Sequence, residues 1–232
     1  SMAIDQLSPQ YQNTAVGTET RNRVLRNTYG LLALSMIPTV IGAWIGVATR
    51  FTFFAGSPAI SFIAFLAIAW AFMAGITRFR NSSTGILLLL GFTFFMGLML
   101  SRLLGYVLGM ANGTSIVMMA FGSTAAIFGV MATIATVSKR DFSGMGSWLF
   151  IGMIVILLAA FANIFLQLPG MMLAISALAT VVFSLYILFD LNRIVTGGET
   201  NYVMATLSVY ISLYNVFSNL LALFGVAGGS ND

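Results

Sequence analysis

The chain contains no cysteine and no histidine. The first absence removes disulfides and thiol nucleophiles; together with the second it removes zinc sites, and the lack of imidazole excludes every histidine-based catalytic triad. Charge is almost as scarce, with 7% of residues charged against 59% hydrophobic. A formal net charge of +4 would suggest an acidic partner for a soluble protein. Here the basic residues sit at the ends of apolar runs, where they report topology, and no nucleic-acid partner is expected. What the chain has in abundance is apolar runs of about twenty residues, each long enough to cross a hydrocarbon core of roughly 30 Å. The expected class is an all-α polytopic membrane protein, with the lipid bilayer as its surroundings and no cofactor or metal.

Seven spans are expected: Thr28–Thr49, Pro58–Thr77, Thr84–Leu108, Thr114–Val137, Ser147–Leu168, Gly170–Val195 and Val203–Phe224. Short connections make residues 28–225 one transmembrane domain, a seven-helix bundle. Residues 1–27 are polar and read as a flexible cytoplasmic N-terminal tail, and residues 226–232 as a short tail on the outer side. The first apolar run is too long for the h-region of a cleavable signal peptide. With the N-terminus inside, the inner segments hold Arg21, Arg23, Arg26, Arg78, Arg80, Lys139, Arg140 and Arg193, whereas the outer ones hold only Arg50.

Pro38 is expected to kink the first span. In the fourth, Gly122, Ser123 and Thr124 followed by Gly129 and Thr133 are small residues of the kind that let helix backbones approach closely, and they read as a packing face.

Asp190 is the anomaly, because an ionisable side chain at the centre of a membrane helix costs roughly 2.5 to 3.5 kcal/mol on insertion scales. It normally faces the bundle interior and finds a partner. Asp190 lies roughly 7 Å from the inner end of the sixth span, whereas Arg102 lies roughly 27 Å up the third, so the two are not expected to pair. Arg193, one turn along the same helix, and Arg78 or Arg80 at the end of the second span are the better partners. They would form an inner ionic lock, or Asp190 and Arg193 an interfacial salt bridge that only anchors the helix.

Ser208, Ser212, Asn215 and Asn219 fall on one stripe of the seventh span, either a polar path or a set of interhelical hydrogen bonds. Asn163 and Gln167, near the outer end of the fifth span, form with Arg102 a candidate outer cluster, although Arg102 alone can snorkel to the interface. Enzyme readings fail: an intramembrane aspartyl protease needs two carboxylates, and Asp190 is the only acid in any span. A retinal protein needs a lysine within the membrane, and the only lysine is Lys139, in a loop.

The stretches Phe121-Gly122-Ser123-Thr124, Asn163-Ile164-Phe165 and Tyr186-Ile187-Leu188-Phe189-Asp190-Leu191-Asn192 resemble the Bax inhibitor-1 family of seven-span membrane proteins. The resemblance runs from about Arg26 to Gly225. Val24 to Tyr29, Asn163 to Pro169, Gly197 to Tyr202 and Ser212 to Asn215 are similar to its bacterial YccA branch. That branch implies a non-enzymatic inner-membrane protein that binds and modulates FtsH, a membrane-anchored ATP-dependent protease. Other bacterial members imply an alternative, a pH-sensitive calcium leak channel gated at Asp190. In those members a pair of aspartates senses pH; the first corresponds to Asp190 and the second falls on Ser212, so the carboxylate pair is absent here. The arginine contact of the leak members maps to Arg78 or Arg80, with Phe79 between them.

Overall fold

The computed structural model describes residues 9–53, 56–138 and 140–229, with side chains from residue 17 onward. Lys139 and the extreme C-terminus lie outside the described residues. Seven long helices follow one another: α1 (Pro9–Thr49), α2 (Pro58–Arg78), α3 (Ser83–Leu108), α4 (Gly113–Val137), α5 (Gly146–Leu166), α6 (Pro169–Val195) and α7 (Tyr202–Gly229), with a 3-10 turn at Ser143–Met145 before α5. There is no strand among the described residues. All seven helices are long and apolar enough to cross a membrane.

The helix ends have local causes. Pro58 and Pro169 stand in the first turns of α2 and α6, where a missing N–H costs nothing. Ser57 caps α2 by accepting from the Ile60 N–H at 3.4 Å. Gln167 ends α5 in the left-handed conformation, φ 51°. The largest departure from expectation is at the start of α1. The polar segment read as a tail is helical from Pro9, and α1 runs uninterrupted through Pro38.

Burial inverts the order a soluble protein would show. α5 is the most hydropathic span and lies at the periphery, whereas α7, the least hydropathic, is among the most buried. α7 packs on α1, α2, α3, α4 and α6. Hydrocarbon solvates leucine as well as a neighbouring helix does, so apolarity draws no span inward. Hydroxyl and amide groups do, because they find partners only in protein.

The tightest approach is between α1 and α3. A side chain at Gly97 would overlap the Thr39 carbonyl, one at Gly42 the Phe94 carbonyl, and one at Gly46 the Ser101 side chain. α4 does not behave as its small residues suggest, since Gly122 and Gly129 have nothing within 4 Å. The face of α4 that packs carries Gly113, Ile116, Ala120, Thr124 and Ala135. Its glycine stripe is rotated away from that face and is exposed.

The α1–α3 seam also carries a polar node next to Pro38. The Thr39 hydroxyl lies 2.7 Å from that of Tyr210, 2.9 Å from the Ser35 carbonyl and 3.2 Å from the Thr93 carbonyl. Tyr214 donates to the Met96 carbonyl at 3.0 Å. Tyr210 also reaches the Thr93 carbonyl at 3.4 Å; one hydroxyl proton serves one acceptor at a time, so one of the two hydroxyls donates to the other while the partner donates to a carbonyl. The node joins α1, α3 and α7 in the bundle centre.

Candidate functional site

Asp190 sits near the C-terminal end of α6, 9% exposed, among the apolar buried residues Ile187, Leu188, Leu191 and Ile194. Among the described residues no hydrogen bond or ion pair within 4 Å ends on its carboxylate. The charged groups within electrostatic reach are Arg193 and Glu199.

The expected direct lock with arginine is not formed in this conformation. Arg193 turns the other way: its guanidinium lies 3.8 Å from Glu199 and 5.8 Å from the centre of the Phe189 ring. The cause is the turn that ends α6. Gly197 takes φ 85°, a conformation glycine adopts without strain. The chain doubles back so that the Glu199 N–H donates to the Arg193 carbonyl at 3.1 Å. That places the Glu199 carboxylate beside Arg193. Arg78 lies over the Phe79 ring at 5.7 Å, and Arg80 contributes only its carbonyl to the site, accepting from Asn201 at 3.2 Å.

Two asparagines that sequence reasoning did not single out hold the loops around Asp190. Asn192, 1% exposed, accepts from the Phe142 N–H at 3.1 Å and donates to the Arg140 carbonyl at 3.2 Å. It therefore fastens the α4–α5 connection to α6 two residues from the carboxylate. Asn201 caps α7, accepting from Val203 and Met204 at 3.0 Å each, while its amide donates to Asn81 at 2.9 Å. Asparagine directly before a helical run is a legible cap signal. Its second bond, across to the α2–α3 turn, has no sequence signature. The α4–α5 connection is thus tied to the end of α6, and the α2–α3 turn to the start of α7.

The α7 stripe divides. Asn215 and Asn219 donate back to the carbonyls four residues earlier, Ile211 and Asn215, at 2.8 and 2.7 Å. Ser212 is buried at 3% exposure, and among the described residues neither it nor Ser208 makes a hydrogen bond. No hydrogen bond joins Ser212 to Asp190. Among the described residues no group of three histidine, cysteine, aspartate or glutamate side chains gathers to hold a metal.

Among the described residues no hydrogen bond joins Arg102 to Asn163 or Gln167. Asn163 accepts from the Leu168 N–H at 3.0 Å and so shapes the α5–α6 turn, with Gln167 in that turn. Arg102 is exposed and lines a separate cleft of about 370 Å³ with Phe51, Phe62, Phe65, Met99 and Ile164. It lies at the opposite end of the bundle from Asp190.

Comparison with known proteins fits this architecture. Residues 21–229 match the family model described as "Inhibitor of apoptosis-promoting Bax1". An uncharacterised protein of Neisseria meningitidis serogroup A is 38% identical over 206 residues, covering 88% of this chain and 91% of its own. An uncharacterised protein of Pseudomonas aeruginosa is 36% identical over 224 residues, covering 96% and 98%. A protein of Escherichia coli K12 named modulator of FtsH protease YccA is 37% identical over 206 residues, covering 89% and 91%. With seven membrane-crossing helices and a match over nearly its whole length, this chain belongs to the Bax inhibitor-1 family.

Proposed function

We propose that this protein is a non-enzymatic, multi-pass protein of the bacterial inner membrane that binds and modulates the FtsH protease. The observation that carries the reading is the 37% identity, over 89% of the chain, to the protein named for that activity. The buried carboxylate of Asp190 and the loops fastened by Asn192 and Asn201 would present a closed, ordered surface to such a partner. The test is co-purification. Tagged protein solubilised from bacterial membranes is expected to bring down FtsH, and its absence from the eluate under conditions that retain other FtsH partners contradicts the reading.

The same reading puts the N-terminus and the α4–α5 connection in the cytoplasm and the C-terminus on the other side, from the lysine and arginine asymmetry. Because the chain has no cysteine, single cysteines introduced at Thr18, Ser143 and Gly228 can be labelled without background. An impermeant maleimide applied to intact spheroplasts is expected to label only the last; labelling of Thr18→Cys reverses the orientation.

A second reading, a calcium or other cation leak, is favoured by one observation, the burial of Asp190 without an ion pair. In that case flux into dye-loaded liposomes falls or rises on Asp190→Asn. Flux also lacks the steep pH response of a carboxylate pair, since Ser212 stands where the second carboxylate would be. No calcium flux in the parent removes this reading and leaves the first.

A further inference from the structure

Among the described residues, the end of the bundle opposite Asp190 has cations and no acids. Arg50 follows the last residue of α1, and Arg102 sits about 9 Å below the end of α3 at the helical rise per residue. Neither forms an ion pair among the described residues, where the one salt bridge joins Arg193 and Glu199. The sequence shows why: the described acids are Glu19, Asp141, Asp190 and Glu199. All belong to the opposite end, in the first part of α1, the α4–α5 connection, the end of α6 and the α6–α7 turn. An arginine within a membrane span that has no carboxylate partner among the described residues is open to a counter-charge from outside the chain.

Arg102 lines the cleft between the ends of α1, α3 and α5 and the start of α2, together with Phe51, Phe62, Phe65, Met99 and Ile164. Its volume of about 370 Å³ lies in the range of ligand pockets, roughly 300 to 1,000 Å³. It is large enough for the upper part of one acyl chain and too small for a whole lipid. The cleft brings one guanidinium together with aromatic and apolar walls, the two kinds of surface that suit a phospholipid's phosphate and its acyl chain. We propose that this cleft is a binding site for one anionic glycerophospholipid, its phosphate forked by Arg102 and its first acyl segment laid on the phenylalanines. Arginine suits the role because its planar donor pair matches two phosphate oxygens. An anionic headgroup fits better than a zwitterionic one because, among the described residues, Arg50 and Arg102 have no ion-pair partner and an added ammonium would have no carboxylate to meet.

The experiment is native mass spectrometry of the full chain in detergent with phosphatidylglycerol and phosphatidylethanolamine of identical acyl chains at equal concentration. The parent is expected to retain phosphatidylglycerol in preference, by roughly fivefold for each cation engaged. Arg102→Gln is expected to remove the preference and Arg26→Gln, at the other end, to leave it intact. Ile164→Trp, which fills the cleft without touching the charge, is expected to lower retention of the anionic lipid and to keep the proposal testable if Arg102→Gln fails to fold. Equal retention of the two lipids by the parent overturns the proposal, as does an unchanged preference in folded Arg102→Gln or in folded Ile164→Trp. Inorganic phosphate that displaces the lipid at the same concentration also overturns it, since the site would then hold a free anion.

Discussion

Gly97→Ala lowers the unfolding free energy of the protein by about 3 kcal/mol, the upper part of the range for overpacking a filled interior. The added methyl group would overlap the Thr39 carbonyl and press on the Ala43 N–H at 3.0 Å. All of these are backbone atoms, which cannot rotate away as a side-chain end can. Relief requires α1 and α3 to separate, and separation breaks the contacts from Thr39 to Tyr210 and Thr93 that join α1, α3 and α7. Gly129→Ala is the control. It is the same substitution in another span, but nothing lies within 4 Å of the added carbon. Its expected effect is a small stabilisation, no more than about 1 kcal/mol, from the lower entropy cost of alanine in a helix. Thermal unfolding in one detergent compares the two directly. Equal midpoints for the two variants would show that the α1–α3 seam is not where this bundle is held.

The second large effect is expected from removing residues 3–20, which should abolish the response of FtsH to this protein while leaving the bundle folded. The core begins at Val24, with Leu31 and Leu32 following one face of α1, and residues 17–19 are exposed. In an extended tail the deleted residues would reach some 60 Å, at about 3.5 Å each. As helix, the part from Pro9 to Thr20 spans only about 18 Å. A folded helical segment suits docking against a partner's surface; entry into a protease pore requires that it first unwind. Pull-down of FtsH with the deleted and full-length chains decides the matter, and equal recovery would place the contact elsewhere, on the loops fastened by Asn192 and Asn201 or within the membrane.

The spans were legible because the bilayer imposes a length and the flanking residues obey local rules. Pro58 and Pro169 at first turns and the runs ending at Leu108, Val137 and Val195 put the expected boundaries within a few residues of the observed ones. The start of α1 was not legible, since a polar segment carries no hydropathy signal to distinguish helix from coil. Nor was the packing face of α4. A stripe of small residues permits close approach without requiring it, and only the positions of the neighbouring helices select α1 and α3 for that contact. The direct pairing of Arg193 with Asp190 is not formed in this conformation for a related reason. Helical spacing put Arg193 within reach, but the positive-φ turn at Gly197 delivered Glu199 as a nearer partner. Long-range ties such as Asn192 to the α4–α5 connection depend on where two distant segments meet, and no local pattern records that.

The most direct measurement of the account is the rate at which FtsH, reconstituted in proteoliposomes with a membrane substrate, degrades that substrate as this protein is added in increasing ratio. The account predicts a rate that shifts with the amount added, saturates as FtsH is occupied, and returns to the unmodified value when the chain lacking residues 3–20 is used instead. A rate that stays the same at every ratio of the full-length protein would contradict it.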